Sequence, residues 1–275
     1  MAVLLALTGA LLYGVADFVG GLASRRTSPW AVAFVAAVAG AVLVILASPL
    51  LISDPTGADM CWGAVGGVGA GIGTGFLYRG LAGGRMGVVA PISGVGAAVV
   101  PVVVALAVGE RPAALVWLGI VAALPGIWLV ARDPGSGRAG TAGVIDGVLA
   151  GLGFGGQFAA LSQVSEDGGL LPLGLNQLVA AAVVALLATG ARAAWVPRDR
   201  AALPGVLCGA LGVGATVAFV FARHEGSITV AAVLSGLYPA FTILLAATVL
   251  HEHIRRSQGL GLALCGVAVA LVAAG

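Results

Sequence analysis

The chain has 275 residues, of which 60% are hydrophobic and 9% charged, with a net charge of +2 and a mean hydropathy of +1.11. Water-soluble domains carry roughly 25% charged residues, so the solvent for this chain is lipid, and soluble enzyme and signalling classes are excluded. All 13 basic residues are Arg, scattered singly or in pairs through short connections, so the charge gives no sign of nucleic-acid binding and none is expected.

Polar and Pro/Gly breaks divide the chain into apolar segments long enough to cross a bilayer as helices. The first, Ala2–Leu22, carries Tyr13, Gly14 and Asp17. It has no basic n-region, and Asp17 interrupts its apolar run, so it is read as a retained span and not a signal peptide. A carboxyl at membrane depth marks a functional position by default; such a site favours the uncharged form and suits reversible proton binding. The alternative places Asp17 near the interface, paired with Arg25 or Arg26.

The second segment is Trp30–Ile52 and the third Cys61–Leu81. In the third, Gly63, Gly67, Gly71 and Gly75 recur every fourth residue and line one helix face, a groove for close packing or a seam for sliding. Arg79 near its end either snorkels to the interface or faces a cavity as an oxyanion partner. In the fourth segment, Val88–Val108, Pro91 before Ser93-Gly94 suggests a kinked or broken helix, and Glu110 follows its end. A carboxylate there can receive the N-terminal amides of the following helix. The fifth segment is Ala113–Ala131, and residues 132–138 form the one stretch resembling a linker.

The second half repeats the plan: Ala142–Gln163, Leu171–Ala191, Leu203–Ala222, Ile228–Leu250 and Gln258–Ala274. In the sixth segment Gly151–Gly156 spells GxGxxG, but without the strand–turn–helix setting of a dinucleotide site. Gln157 there, and Asn176 and Gln177 in the seventh, either line a polar cavity or bond between helices. Tyr13, Tyr78 and Tyr238 read as cavity wall or interface anchors. The ninth segment carries Ser235-Gly236 before Pro239, again suggesting a break, and Glu252 follows it. His251 and His253 flank Glu252 at a spacing unsuited to one metal, and no third ligand is nearby. Cys61, Cys208 and Cys265 are isolated and read as small core residues. No cofactor is implied, and without GxSxG, HExxH or Walker motifs no enzyme chemistry is expected.

A single shift relates the halves: 252 − 110 = 142 for the two glutamates. The same shift maps Gly9 onto Gly151, Gly67 onto Gly209, Thr74 onto Thr216 and Ser93-Gly94 onto Ser235-Gly236, without gaps. The chain is one unit written twice, residues 1–137 and 138–275. Asp17 maps onto Ala159, so the copies are not chemically equal. The expected fold is an all-α polytopic membrane protein with ten transmembrane helices in two repeats. Five spans per repeat make the repeats inverted by parity, the plan of a transporter with a midplane site. Connections after odd-numbered spans hold most of the Arg residues, which predicts both termini outside the cell membrane. The rival reading is a non-transporting membrane protein, such as a lipid-handling enzyme or an assembly subunit, which a bundle without a polar central cavity would favour. Monomer and homodimer are equally open.

The chain resembles EamA-like members of the drug/metabolite transporter superfamily. The residues that carry the resemblance are Tyr13-Gly14, where that family usually has Trp-Gly, Leu77–Leu81, and Pro239 followed by Glu252, Gly261 and Ala268, echoed by Gly109-Glu110, Gly119 and Gly126. His251 replaces a Gly of that pattern, and Ala97 stands where the first repeat's Pro would be. The resemblance implies a ten-helix basket with a central cavity, exporting amino acids, metabolites or drugs by exchange or proton coupling. Small four-helix relatives use a first-helix carboxylate for proton and substrate, a role for which Asp17 is the candidate here. The family commonly places both termini in the cytoplasm, opposite to the Arg tally.

Overall fold

Prolines at the first turn and polar capping residues set the starts of several helices. The computed structural model describes residues 1–50, 53–83, 86–131, 141–249 and 255–275, and among these the regular structure is entirely helical. The long helices are α1 (Ala2–Ser24), α2 (Pro29–Ala47), α3 (Gly57–Ala82), α4 (Met86–Ala107), α5 (Ala114–Ala131), α6 (Thr141–Leu161), α7 (Leu171–Gly190) and α8 (Pro204–His224). The ninth segment forms α9 (Ile228–Ser235) and α10 (Tyr238–Val249), and the chain closes with α11 (Arg256–Ala274). Pro29 and Pro204 open their helices at the first position, where a missing amide is harmless. Thr56 and Asp59 form a reciprocal capping box at the start of α3.

Among the described residues, eight helices are long and apolar enough to cross a bilayer, and Ile92–Ala107 and Ala114–Leu129 are shorter apolar helices. With its first turn, α4 runs 22 residues, about 33 Å at 1.5 Å per residue, and the 18 residues of α5 span about 27 Å. The outward surface is apolar: Leu46 and Leu186 are each 72% exposed, and Leu4, Val121 and Leu118 are each more than half exposed. Water does not tolerate so extensive an apolar coat, and lipid does.

Packing follows the 142-residue shift. Helix α3 packs on α6 and α7, and its counterpart α8 packs on α1 and α2. Helix α4 lies on α6 as α9 and α10 lie on α1, while α2·α7, α4·α9 and α5·α11 each map onto themselves. Equivalent glycines lie at equivalent helix crossings, in registers two residues apart. A Cβ on Gly67 would strike the Asn176 carbonyl, and one on Gly209 would strike that of Ala36. The GxGxxG run belongs to this packing: Gly151 abuts Gly96, and Gly153 abuts Gly73, bringing α6 into backbone contact with α4 and α3.

The two predicted helix breaks differ. Helix α4 runs continuously through Pro91, Ser93 and Gly94, whereas the ninth segment is interrupted at Gly236-Leu237. Pro239 has no amide to give the Ser235 carbonyl, four residues back, while the equivalent Ala97 keeps its own. The break therefore belongs to the second copy alone.

Candidate functional site

Six helices, α1 to α3 and α6 to α8, converge on one cavity of about 60 Å³. At about 10–15 Å³ per water, this holds a few waters. Tyr13, Ala16 and Asp17 share one face of α1 by their spacing of three and four residues. Opposite them α2 offers only Ala33, Ala36 and Ala37, and α8 offers Cys208, Gly209, Gly212 and Thr216. Small residues on these faces keep the space open. Gln157, Gln177, Thr74 and Tyr78 complete the polar lining, and Phe154 adds an aromatic wall.

The hydroxyls are directed. Thr216 Oγ1 donates to the Gly212 carbonyl at 2.9 Å, so the Tyr13 phenol, 2.7 Å away, donates to Thr216. The Cys208 thiol donates to the Ala16 carbonyl at 3.5 Å. The phenol end of Tyr78 abuts Gly20, where any Cβ would collide with it. The Asp17 carboxyl shares the cavity lining with Tyr13, Tyr78 and Cys208. Neither Arg25 nor Arg26 lines the cavity.

Of the residues proposed from sequence, Tyr13, Asp17, Gln157 and Gln177 thus meet at one place. Tyr238 stands behind Tyr13, edge-on at 6.3 Å between ring centres, with its hydroxyl on Ser93. Asn176 is fully buried between α3 and α6, against Gly66 and Leu161, and both its amide atoms lack partners among the described residues. Arg79 points away from the cavity. It grips Asp146 on α6, with Nε 3.0 Å from Oδ1, and its guanidinium lies over Phe76 at 4.4 Å and Trp30 at 5.9 Å. Asp146 is 1% exposed and its partner 38%, so the pair closes the end of the α3·α6 interface. That engagement removes Arg79 as a cavity anion partner in this conformation.

A model of the EamA-like transporter family matches residues 1–132 and 141–274. The chain belongs to the EamA-like transporter family. Its fold also matches a solved crystal structure at a TM-score of 0.71, covering 98% of this chain and 95% of the other at 16% identity. No curated protein matches this chain. A multi-pass membrane protein of a transporter family is what the helices and the family match together establish.

Beyond the cavity, the carboxylates of this EamA-like chain tie helix ends. The Gly109 backbone, at φ +96°, turns the chain after α4, and the Glu110 amide donates back to the Ala105 carbonyl at 2.9 Å. This aims the Glu110 carboxylate at the start of α9. It accepts from Ile228 N at 2.7 Å, Thr229 N at 3.2 Å and Thr229 Oγ1 at 2.9 Å. The sequence expectation that Glu110 receives the following helix is corrected: its partner is α9 of the other copy, because the left-handed turn at Gly109 swings the side chain across. Asp59 likewise accepts from Ser165 N at 2.7 Å and Ser165 Oγ at 3.0 Å, pinning the α6–α7 connection to the start of α3. Glu252, with His251 and His253, lies outside the described residues. Among the described residues no group of His, Cys, Asp and Glu is arranged to hold a metal.

Sequence reasoning did not assign Thr74, Thr216 or Asp146 to the site and read Cys208 as a small core residue. The two threonines are exchanged by the shift, which was the available signal. Asp146 is a carboxylate five residues into α6, and an Arg near the end of another span is the partner such a charge requires.

Proposed function

We propose that this EamA-like protein is a secondary transporter of the cell inner membrane that exports a small organic solute by alternating access. In this reading α9 and α10 count as one span, ten spans form two inverted repeats, residues 1–137 and 138–275, and both termini lie outside. The observation that carries it is the polar cavity built jointly by three helices of each copy, with the Asp17 carboxyl in its wall. A non-transporting membrane scaffold has no use for a carboxyl and two amides enclosed at the meeting point of both copies. The cavity of about 60 Å³ holds a few waters, so in this reading a larger solute enters when the two copies part.

Asp17 is the coupling group in this mechanism. Its charge is costly among Ala and Gly walls, and a bound proton removes that cost. Gln157, Gln177, Thr74 and Tyr78 supply hydrogen bonds to the solute, while Tyr13 is held by Thr216. Tyr238 and Asn176 border the path rather than the cavity described here. The test uses everted vesicles carrying an imposed proton gradient, probed with solutes found by export profiling of a deletion strain. The expected result is that the solute dissipates the gradient through wild-type protein and not through Asp17→Asn. Unaltered coupling in the variant removes Asp17 from the role, and an export profile identical to that of the parent strain removes the transport reading.

A further inference from the structure

The two copies place opposite charges at equivalent ends of equivalent helix pairs. Helices α1 and α8 pack antiparallel: the Cys208 thiol meets the Ala16 carbonyl, and a Cβ on Gly9 would lie 3.2 Å from the Ala215 carbonyl. The end of α1 therefore meets the start of α8. Arg25 and Arg26 follow the one, and Arg198 and Arg200 precede the other. The 142-residue shift carries this place onto the end of α6 and the start of α3, where Glu166, Asp167, Asp54 and Asp59 stand instead. Tyr78, near the end of α3, abuts Gly20, near the end of α1, so the acidic start of α3 lies at the far face of the bundle. Packing that both copies share does not call for guanidiniums in one and carboxylates in the other. A partner confined to one face does.

The basic end is held in shape by uncharged donors. Thr27 Oγ1 donates to Asp199 Oδ2 at 3.1 Å, Ala201 N donates to Asp199 Oδ1 at 3.0 Å, and Ser28 Oγ donates to the Ala194 carbonyl. These bonds fix residues 194–201 against the turn that follows α1. Both Asp199 oxygens are thus occupied, and the exposed Arg26, Arg198 and Arg200 form no ion pair among the described residues. Arg26 adjoins Thr27, while Arg198 and Arg200 flank Asp199, so three guanidinium stems rise around one hydrogen bond. Directly after them, Leu203, Val206 and Leu207 are exposed on one face of α8 by their spacing of three and four. That face continues to Gly214, which lies against Leu12 of α1. Cationic forks above an apolar seam match a molecule with a phosphate head and a hydrocarbon tail.

We propose that this end of the α1·α8 seam is a site for an anionic phospholipid of the leaflet it meets. The headgroup phosphate sits on Arg26, Arg198 and Arg200, and an acyl chain runs along Leu203, Val206 and Leu207. A zwitterionic phospholipid carries the same phosphate, but its own ammonium competes for that phosphate and is repelled by the arginines. Each guanidinium near an anionic headgroup strengthens binding about fivefold. The carboxylates at the far face repel the same headgroup, so one lipid class is held at one face of the bundle only.

The experiment uses the purified full chain in detergent, with native mass spectrometry reading the lipid retained. The probes are phosphatidylglycerol and phosphatidylethanolamine with identical chains, and glycerophosphoglycerol, which is the anionic headgroup without chains. The expected result is that wild-type protein holds phosphatidylglycerol at least tenfold more tightly than phosphatidylethanolamine, and that raised salt narrows the difference. Arg26→Gln, Arg198→Gln and Arg200→Gln combined should lower phosphatidylglycerol affinity at least tenfold, to the level of the zwitterionic lipid. Arg111→Gln, an exposed arginine beyond the end of α4, should change neither. The three substituted side chains are exposed, so a lipid-free thermal midpoint equal to wild type establishes that the variant is folded; the wild-type preference and its salt dependence stand without it. Equal retention of the two lipids by wild-type protein, or undiminished phosphatidylglycerol affinity in the triple variant, overturns the site. An equal loss in Arg111→Gln overturns its location. Glycerophosphoglycerol bound as tightly as the intact lipid makes this a site for a soluble anion and overturns the lipid assignment.

Discussion

Replacing Glu110 with Ala tests whether the two copies are fastened together where the structure places the fastening. Three donors lose their acceptor at once: the amides of Ile228 and Thr229 and the Thr229 hydroxyl. Losing a helix cap costs about 0.5–2 kcal/mol, and removing a negative charge from a helix N-terminus adds about 0.3–1 kcal/mol. Glu110 is half-buried, so water recovers part of the loss, and the expected destabilisation is about 2 kcal/mol. At about 2–4 °C per kcal/mol for a large chain, the thermal midpoint in detergent should fall by about 4–8 °C. Glu110→Gln keeps one acceptor and loses the charge, and should show about half that shift. Thr229→Val removes only the hydroxyl and should fall lower still in effect. Differential scanning fluorimetry of the three purified variants reads all of this. A Glu110→Ala midpoint equal to wild type would mean that water caps α9 equally well and that the interlock is not a stabilising one.

Three further outcomes follow from the packing. Gly153→Ala forces a Cβ to 2.5 Å from the Gly73 amide and should destabilise by about 1–3 kcal/mol, whereas Gly156→Ala meets nothing within 4 Å and should be neutral or stabilising by up to about 1 kcal/mol, both read by thermal unfolding. Arg79→Met leaves Asp146 buried without its cation; because Arg79 is 38% exposed, the loss should be at the low end, about 1–3 kcal/mol, and Asp146→Asn in the same background should recover much of it. Thr216→Val removes the acceptor of the Tyr13 phenol and should raise the KM for solute several-fold in vesicle uptake with little change in thermal midpoint, since cavity water replaces the bond.

Much of the plan was legible in the sequence because glycines and the paired glutamates obey one shift, and backbone contact leaves only glycine as a choice at such crossings. Gly67 and Gly209, related by the shift, both lie at backbone crossings, against α7 and α2, in registers two residues apart. The helix character of the segments followed from their length and apolarity, and Asp17 was legible because a carboxyl within an apolar run has no bland neighbours. Less legible was which way a side chain points. Arg79 and Asp146 are 67 positions apart, and neither repeat nor periodicity announces their pairing. Glu110 looked like the cap of the helix next in sequence; only the left-handed turn at Gly109 reveals its true partner. Asn176 and Gln177 were adjacent equals in the sequence, yet successive residues on a helix diverge by about 100°, which puts Gln177 in the cavity wall and Asn176 between α3 and α6.

The fastenings of the α3·α6 contact have no duplicate. Where that contact has Arg79 and Asp146 at one end and Asp59 and Ser165 at the other, the α1·α8 contact has Phe221 and Leu4, then Ala201 and Ala23. Two identical subunits would have to be locked along both such edges or along neither. Fusing unlike copies in one polypeptide lets one edge be held by ions at its ends and the other by the Tyr13–Thr216 and Cys208–Ala16 hydrogen bonds within the span that carries Asp17.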